Sequence, residues 1–227
     1  RREFTANVSH ELKTPLHSIM GCSELMENGL VKAEDMPRFV SRIHSEASRL
    51  VTLVDDIIGL SQLDENAEFP KEEVDLLALA EEEVGALAAT AKDKDIKISV
   101  GGEEITVTGV RRLLHEIVYN LCDNALRYTE AGGKVGVTVG KEENEAVITV
   151  SDTGIGIPPE DLDRVFERFY RTDKSRSKET GGAGLGLSIV KHAVSYLGGR
   201  ISLDSAQGIG TTFKVYLPKD PEDHSDD

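Results

Sequence analysis

The chain has almost no cysteine, no long apolar run, and far fewer positive than negative charges. Its only cysteines, Cys22 and Cys122, lie far apart and show no CxxC or metal-type spacing. Both fall on apolar helical positions, which predicts buried, reduced thiols rather than redox chemistry. No stretch of about 18 apolar residues is present, so no part of the sequence reads as a membrane span, and no signal-peptide pattern opens it. Lys and Arg number 26 against 41 Asp and Glu, a formal net charge of −15. That balance weighs against nucleic acid as a partner and against contact of this piece with an anionic membrane. No internal repeat is found. What is present is ordinary for a soluble globular protein: 227 residues, 39% hydrophobic and 30% charged, enough for one large domain or two small ones. The chain opens without Met inside a helical pattern, as expected of a piece of a longer protein.

The first 30 or so residues read as a helix, with Phe4, Val8, Leu12, Leu16 and Ile19 on one face and Asn28-Gly29 as the stop signal. His10 lies off this stripe, with Glu11 beside it and Thr14 on the same face one turn later. Pro15 removes a backbone hydrogen bond just beyond them, which predicts a bend. An ordinary surface histidine is the bland alternative for His10. His17 and His44 have no such neighbours. A second helix begins near Pro37 and carries Met36, Phe39, Ile43, Ala47, Leu50, Val54 and Ile57 at alternating three- and four-residue spacing. That is a bundle seam. Two linked helices form a hairpin, and so long a seam predicts dimerisation into a four-helix bundle. A hairpin packed against its own chain is the alternative.

The pattern breaks at Glu65–Pro70, the expected boundary between residues 1–68 and 71–219. Beyond it, helices are predicted at Leu76–Ala91, Val110–Tyr128, Pro159–Phe169 and Leu185–Leu197. Strands are predicted at Ile96–Val100, Ile105–Thr108, Val135–Val139, Ala146–Ser151, Ile201–Asp204 and Thr212–Leu217. The mixture suggests an α/β sandwich, giving an α + α/β chain as a whole. Residues 220–227 read as a disordered acidic tail.

Three segments of this second part carry chemistry. Glu116, Asn120, Asn124 and Arg127 make a polar stripe on the 110–128 helix, opposite Leu114, Ile117, Leu121, Ala125 and Tyr128. Asn is a poor helix former, so a merely solvated face is a weak explanation. Carboxylate and amide oxygens suit Mg²⁺, and a guanidinium suits phosphate. Asp152-Thr153-Gly154-Ile155-Gly156-Ile157-Pro158 follows a strand, and Asp152 is placed to accept a hydrogen bond from an amino group such as adenine N6. Gly181-Gly182-Ala183-Gly184-Leu185-Gly186-Leu187 opens a helix, where free N–H groups favour phosphate. No Gly-Lys-Ser/Thr follows, so this is not a Walker loop. Tyr170–Thr180, between the glycine clusters, reads as a lid. Gly208–Phe213 is a turn into the last strand.

Each segment alone is a weak signal, but their order is specific. The chain resembles the sensor histidine kinases of two-component systems over essentially its whole length. Ser9-His10-Glu11-Leu12-Lys13-Thr14-Pro15-Leu16 resembles the family's H box and Asn120-Leu121-Cys122-Asp123-Asn124-Ala125 its N box. The 152–158 segment is similar to the G1 box, Phe166-Glu167-Arg168-Phe169-Tyr170 to the F box, and 182–187 to the G2 box. Phe4–Pro15 looks most like the phosphate-regulon type. Arg127 stands where Lys is common, and Ala183 replaces a frequent Thr or Ser.

The resemblance implies a cytoplasmic dimerisation and phosphotransfer hairpin followed by an ATP-binding domain, within a protein anchored in the cell membrane. It implies His10 as phosphoacceptor, Glu11 as general base, and Mg²⁺ on Asn120 and Glu116. ATP is then expected to be held by Asn120, Asn124, Arg127, Tyr128, Asp152, Gly154, Gly156, Arg171, Gly182, Gly184, Leu185, Gly186 and Thr212. Tyr128 either stacks on the base or fills the core. The implied partners are a second copy of the chain and a response-regulator receiver domain, which accepts the phosphoryl group on an aspartate. Thr14 suggests phosphatase activity toward that regulator. Two other classes fit part of the pattern: an ATPase of the same superfamily, which would lack the H box, and a degenerate scaffold, which would have lost a ligand.

Overall fold

The computed structural model describes residues 2–65, 68–172 and 183–218. It begins with two antiparallel helices, α1 (Arg2–Glu27) and α2 (Met36–Asp64). Helix α1 ends as its sequence requires. Gly29 takes φ +65°, and the Leu30 N–H reaches back to the Leu25 carbonyl, closing the last turn. Pro37 sits in the first turn of α2, where no intrahelical donor is lost. Pro15 is buried, and helix α1 continues through it.

The seam of α2 differs from the expectation in one respect. Phe39, Ile43 and Leu50 are half-buried, but Val54 is 42% exposed, while the fully buried residues of α2 are Leu53, Leu60 and Leu63. Helix α2 therefore has two apolar faces. The second packs on the α/β part of the chain, which a single heptad reading does not separate from the first.

The second part orders as β1 (Glu72–Asp75), α3 (Leu76–Asp93), β2 (Lys97–Gly102), β3 (Thr106–Gly109), α4 (Arg111–Tyr128), β4 (Lys134–Glu142), β5 (Glu145–Asp152), α5 (Gly186–Tyr196), β6 (Arg200–Ala206) and β7 (Gly210–Pro218). Five strands form a sheet in the order β2-β4-β5-β7-β6, parallel only at β2–β4. Helices α3, α4 and α5 cover one face, and Val135, Val137 and Val139 of β4 alternate into the layer between. This is the two-layer α/β arrangement expected. Asp75 caps α3, accepting from the Leu77 and Ala78 N–H groups at 2.9 and 3.1 Å.

Two elements depart from expectation. Strand β1 was not anticipated. It is four residues long, half of it exposed acid, and pairs only with β3 in a separate ribbon. The helix predicted at 159–169 is a single 3-10 turn, Pro159–Asp161, followed by turns. The turns end at Phe169, which sits at φ +64° and donates its N–H to the Gly184 carbonyl at 2.8 Å. Its ring packs beside Phe4 of α1, with centroids 5.7 Å apart. Cys22 and Cys122 are buried and free, and burial pushes the Cys122 thiol up to about 12.

Candidate active site

A cavity of about 630 Å³ lies between α4, the ends of β5 and β7, the start of α5 and the side of α2. Helix α4 brings Glu116, Asn120, Asn124 and Arg127 to its wall, because 3.6-residue periodicity stacks them along one side; the half-buried Tyr128, expected on the opposite face, lines it as well, one turn after Asn124. Asn120 Nδ2 donates to the Glu116 carbonyl at 2.8 Å, so the amide is pinned. Its Oδ1 lies against Gly186: a Cβ there would be 2.7 Å away. Burial holds the Glu116 carboxyl above its ordinary range, only partly opposed by Arg112 at 3.7 Å. A half-desolvated carboxylate beside a fixed amide oxygen suits Mg²⁺, which takes few protein ligands and completes its shell with phosphate and water. Among the described residues, no group of three or more His, Cys, Asp or Glu is disposed to hold a metal alone.

Strand β5 ends at Asp152, whose Oδ1 accepts from the Gly154 N–H at 2.8 Å and the Thr211 N–H at 3.3 Å. Burial raises the Asp152 carboxyl, and these two backbone bonds offset part of the rise. Gly154 has no room for a side chain, since a Cβ would meet the Tyr128 carbonyl at 2.4 Å. Gly156 takes φ +67° and lies against the Ala206 carbonyl. Gly156 lines the cavity, whereas Gly154 supports Asp152 from behind.

On β7 the cavity residues are Thr211 and Phe213, and the expected Thr212 does not line it. Thr211 pairs with Asp152 in register and is 7% exposed. Adjacent residues of a strand face opposite sides, so Thr212 points away. Which alternate residues of β7 face the cavity depends on its pleat from Gly210, at φ +144°, and the sequence does not give that pleat.

Gly184, Leu185 and Gly186 bring the first turn of α5 to the cavity. Among the described residues no side chain caps this helix start, whose N–H groups suit an anion. Gly184 takes φ +74° against the carbonyl of Tyr170. Gly182, most of the predicted lid (173–180) and the tail 220–227 lie outside the described residues.

Residues from the hairpin close the cavity. Arg49, Asp56 and Gly59 of α2 line it, with Leu53 and Leu60 packed on Leu185 and Ile189. Burial, and the negative charges of Glu116 and Asp55, raise the Asp56 carboxyl to about 6. Arg168 holds Asp64 at 2.7 Å, and Gln62 accepts from Arg112 at 3.3 Å. None of these α2 residues stood out in the sequence, where each is an ordinary helix-surface choice.

The two predicted arginines are held by carboxylates. Arg127 Nη2 donates to Asp123 at 2.6 Å, one turn back on α4. Arg171 Nη2 donates to Glu11 Oε2 at 3.2 Å, which ties the cavity to α1. His10 does not line the cavity. Its side chain is 80% exposed, with Nδ1 3.8 Å from Glu11 Oε1. Thr14 Oγ1 donates to the His10 carbonyl at 3.2 Å. An exposed imidazole beside a carboxylate, which is itself paired with an arginine of the cavity wall, suits phosphoryl transfer to histidine.

Comparison with known proteins agrees with this geometry. Residues 1–66 match the family described as His Kinase A (phospho-acceptor) domain, and residues 109–221 match the Histidine kinase-, DNA gyrase B-, and HSP90-like ATPase family. The chain belongs to the sensor histidine kinases. This kinase is 39% identical over 235 residues to the sensor-like histidine kinase SenX3 of Mycolicibacterium smegmatis, covering all of the chain and 60% of the relative. It is 36% identical over 240 residues to the sensor histidine kinase WalK of Bacillus subtilis, covering all of the chain and 38% of that protein. It thus spans 60% or less of the length of these curated relatives. Among solved structures, histidine kinase ThkA in complex with response regulator protein TrrA aligns with a TM-score of 0.78 at 27% identity, over 97% of this kinase and 62% of that chain. No helix of the described residues is long and apolar enough to cross a membrane.

Proposed function

We propose that the chain is the catalytic core of a two-component sensor kinase, which transfers the γ-phosphoryl group of Mg·ATP to His10 and then to an aspartate of a response-regulator receiver domain. The observation that carries this reading is Glu11: one carboxylate faces His10 on one oxygen and a cavity arginine on the other.

In this mechanism the adenine amino group bonds Asp152, fixed by Gly154 and Thr211. Asn124, Arg127 and the open start of α5 take the phosphates, and Arg171 exchanges Glu11 for phosphate. Tyr128 flanks the base. Glu116 and Asn120 would hold Mg²⁺, which when bound would supply charge neutralisation at the phosphates. Glu11 accepts the Nδ1 proton as Nε2 of His10 attacks the γ-phosphorus. The Nε2–P bond forms, the bridging P–O bond breaks and ADP leaves. Because His10 stands outside the cavity, transfer requires the hairpin and the ATP-binding part to shift relative to each other.

We further propose a homodimer built on the hairpin face that exposes Leu16, Met20, Val51 and Val54, since so much unburied apolar surface on two helices calls for a second copy. The ThkA complex with a response regulator supports a receiver-domain partner of the same kind. Thr14, on the His10 face, supports phosphatase activity toward that partner. The share of its relatives that the chain spans supports a piece of a longer sensor, which we place on the cytoplasmic side of a membrane anchor. An ATPase without histidine transfer is the competing reading, and the His10-Glu11 pair argues against it.

The test is incubation with γ-³²P-ATP and Mg²⁺. The expected label is stable to base, labile to acid and absent from His10→Gln, which still binds ATP. Undiminished label on that variant would remove His10 from the mechanism.

A further inference from the structure

Glu11 has more partners than a general base requires. Its Oε1 faces His10 Nδ1 at 3.8 Å, while Oε2 faces two guanidinium groups, Arg171 Nη2 at 3.2 Å and Arg49 Nη2 at 3.6 Å. The two arginines differ in origin. Arg171 belongs to the ATP-binding part and leaves with it. Arg49 is on α2 of the same hairpin as His10, so its contact persists when the two parts separate. Its place is fixed by packing: Leu53, one turn later, is buried in the cluster against which Leu12, the neighbour of Glu11, also packs.

Resting on the kinase reading above, we infer that Arg49 is a positioning residue for the transfer: it holds Glu11 Oε2 so that Oε1 stays aimed at His10 Nδ1 whether or not Arg171 is bound. Arg171 is then released to the phosphates without the base losing its orientation. At 3.6 Å the contact is an ion pair beyond hydrogen-bond length, so position and charge matter more than the planar fork of the guanidinium. Partly exposed pairs of this kind add little to stability, so the consequence of losing Arg49 falls on rate rather than on folding.

Arg49 also lines the cavity, and a direct contact with ATP phosphate is the rival role. The full chain separates the two. Arg49→Gln is expected to lower the autophosphorylation kcat about tenfold, a fraction of what a general base supplies. The KM for ATP should move less than about twofold, because uniform substrate binding is not what is lost. Arg49→Lys should recover most of the rate, since the charge is kept. In a Glu11→Gln background, Arg49→Gln should cost less than about twofold more, because two residues acting through one contact are not additive.

Phosphoramidate, which phosphorylates histidine without a nucleotide, gives a second readout. Labelling of His10, followed by mass spectrometry, should slow in Arg49→Gln as it does with ATP. An undiminished penalty in the Glu11→Gln background, or a loss carried by KM with phosphoramidate labelling unchanged, overturns the assignment in favour of a phosphate contact. A chain that fails to label with ATP but keeps the Arg49 dependence with phosphoramidate would overturn the kinase reading and uphold Arg49.

Discussion

Asn120 Oδ1 stands over Gly186, so close that a Cβ at 186 would lie 2.7 Å from it. The amide cannot retreat freely, because its Nδ2 is bonded to the Glu116 carbonyl. Gly186→Ala should therefore fold normally, and even favour α5, since Ala is the better helix former by up to about 1 kcal/mol. It should nevertheless displace the Asn120 oxygen and weaken Mg·ATP binding. Asn120→Ala should cost about 1–3 kcal/mol of that affinity by removing a charge-assisted ligand. Calorimetry with ATP and Mg²⁺ checks both, and unchanged affinity in Asn120→Ala would refute the metal-site assignment.

Gly156 should behave differently. A methyl there meets the Ala206 carbonyl at 2.1 Å, and φ is +67°. The obstacle is backbone, so no side chain can swing aside. Gly156→Ala is expected to lose at least about 2 kcal/mol of stability, one part from left-handed strain and the rest from the clash. The melting temperature should drop by several degrees with nucleotide binding impaired. A melting curve that matches the parent would mean that the loop opens without cost.

Thr14 spends its hydroxyl on the His10 carbonyl, but it is exposed and free to rotate toward a docked partner. Thr14→Ala should leave autophosphorylation and phosphotransfer intact while regulator dephosphorylation slows by about tenfold or more, the scale of one lost water-positioning contact. Phosphatase assays with the cognate receiver domain read this directly, and an unchanged dephosphorylation rate makes Thr14 a plain surface residue.

Asp56 links pH to the packing of α2 on the cavity. Burial raises its carboxyl from 3.8 to about 6. An acid whose folded pKa lies above its unfolded value binds its proton more tightly when folded. Its contribution to stability is therefore fully present below about pH 4 and lost as pH rises through about 6. Without Mg²⁺ or nucleotide, Asp56→Asn should melt higher than the parent near neutral pH, by about 1 kcal/mol after discounting for solvent screening. The difference should shrink as pH falls through about 6. A variant with the same melting point at both ends of that window would show that Asp56 is solvated.

The separate parts are legible along the chain. Helical periodicity fixed the two hairpin helices and the polar stripe of α4, because a 3.6-residue repeat depends only on neighbours along the chain. Alternation gave most strands. Glycines beside Asp152 and Leu185 marked the nucleotide loops, because close backbone approach excludes a Cβ regardless of fold. Tertiary structure decided the joins. Only the pairing of Asp152 with Thr211 shows which side of β7 faces the cavity. Only the tertiary structure shows Phe169 docked on α1 and Gly184 at the end of a segment that the sequence reads as helix. The second apolar face of α2, and the meeting of Glu11 with Arg49 and Arg171, depend on packing between segments distant in sequence. No local pattern encodes which distant partner a helix surface meets, because an arginine on a helix looks the same in sequence whether it faces water or a carboxylate.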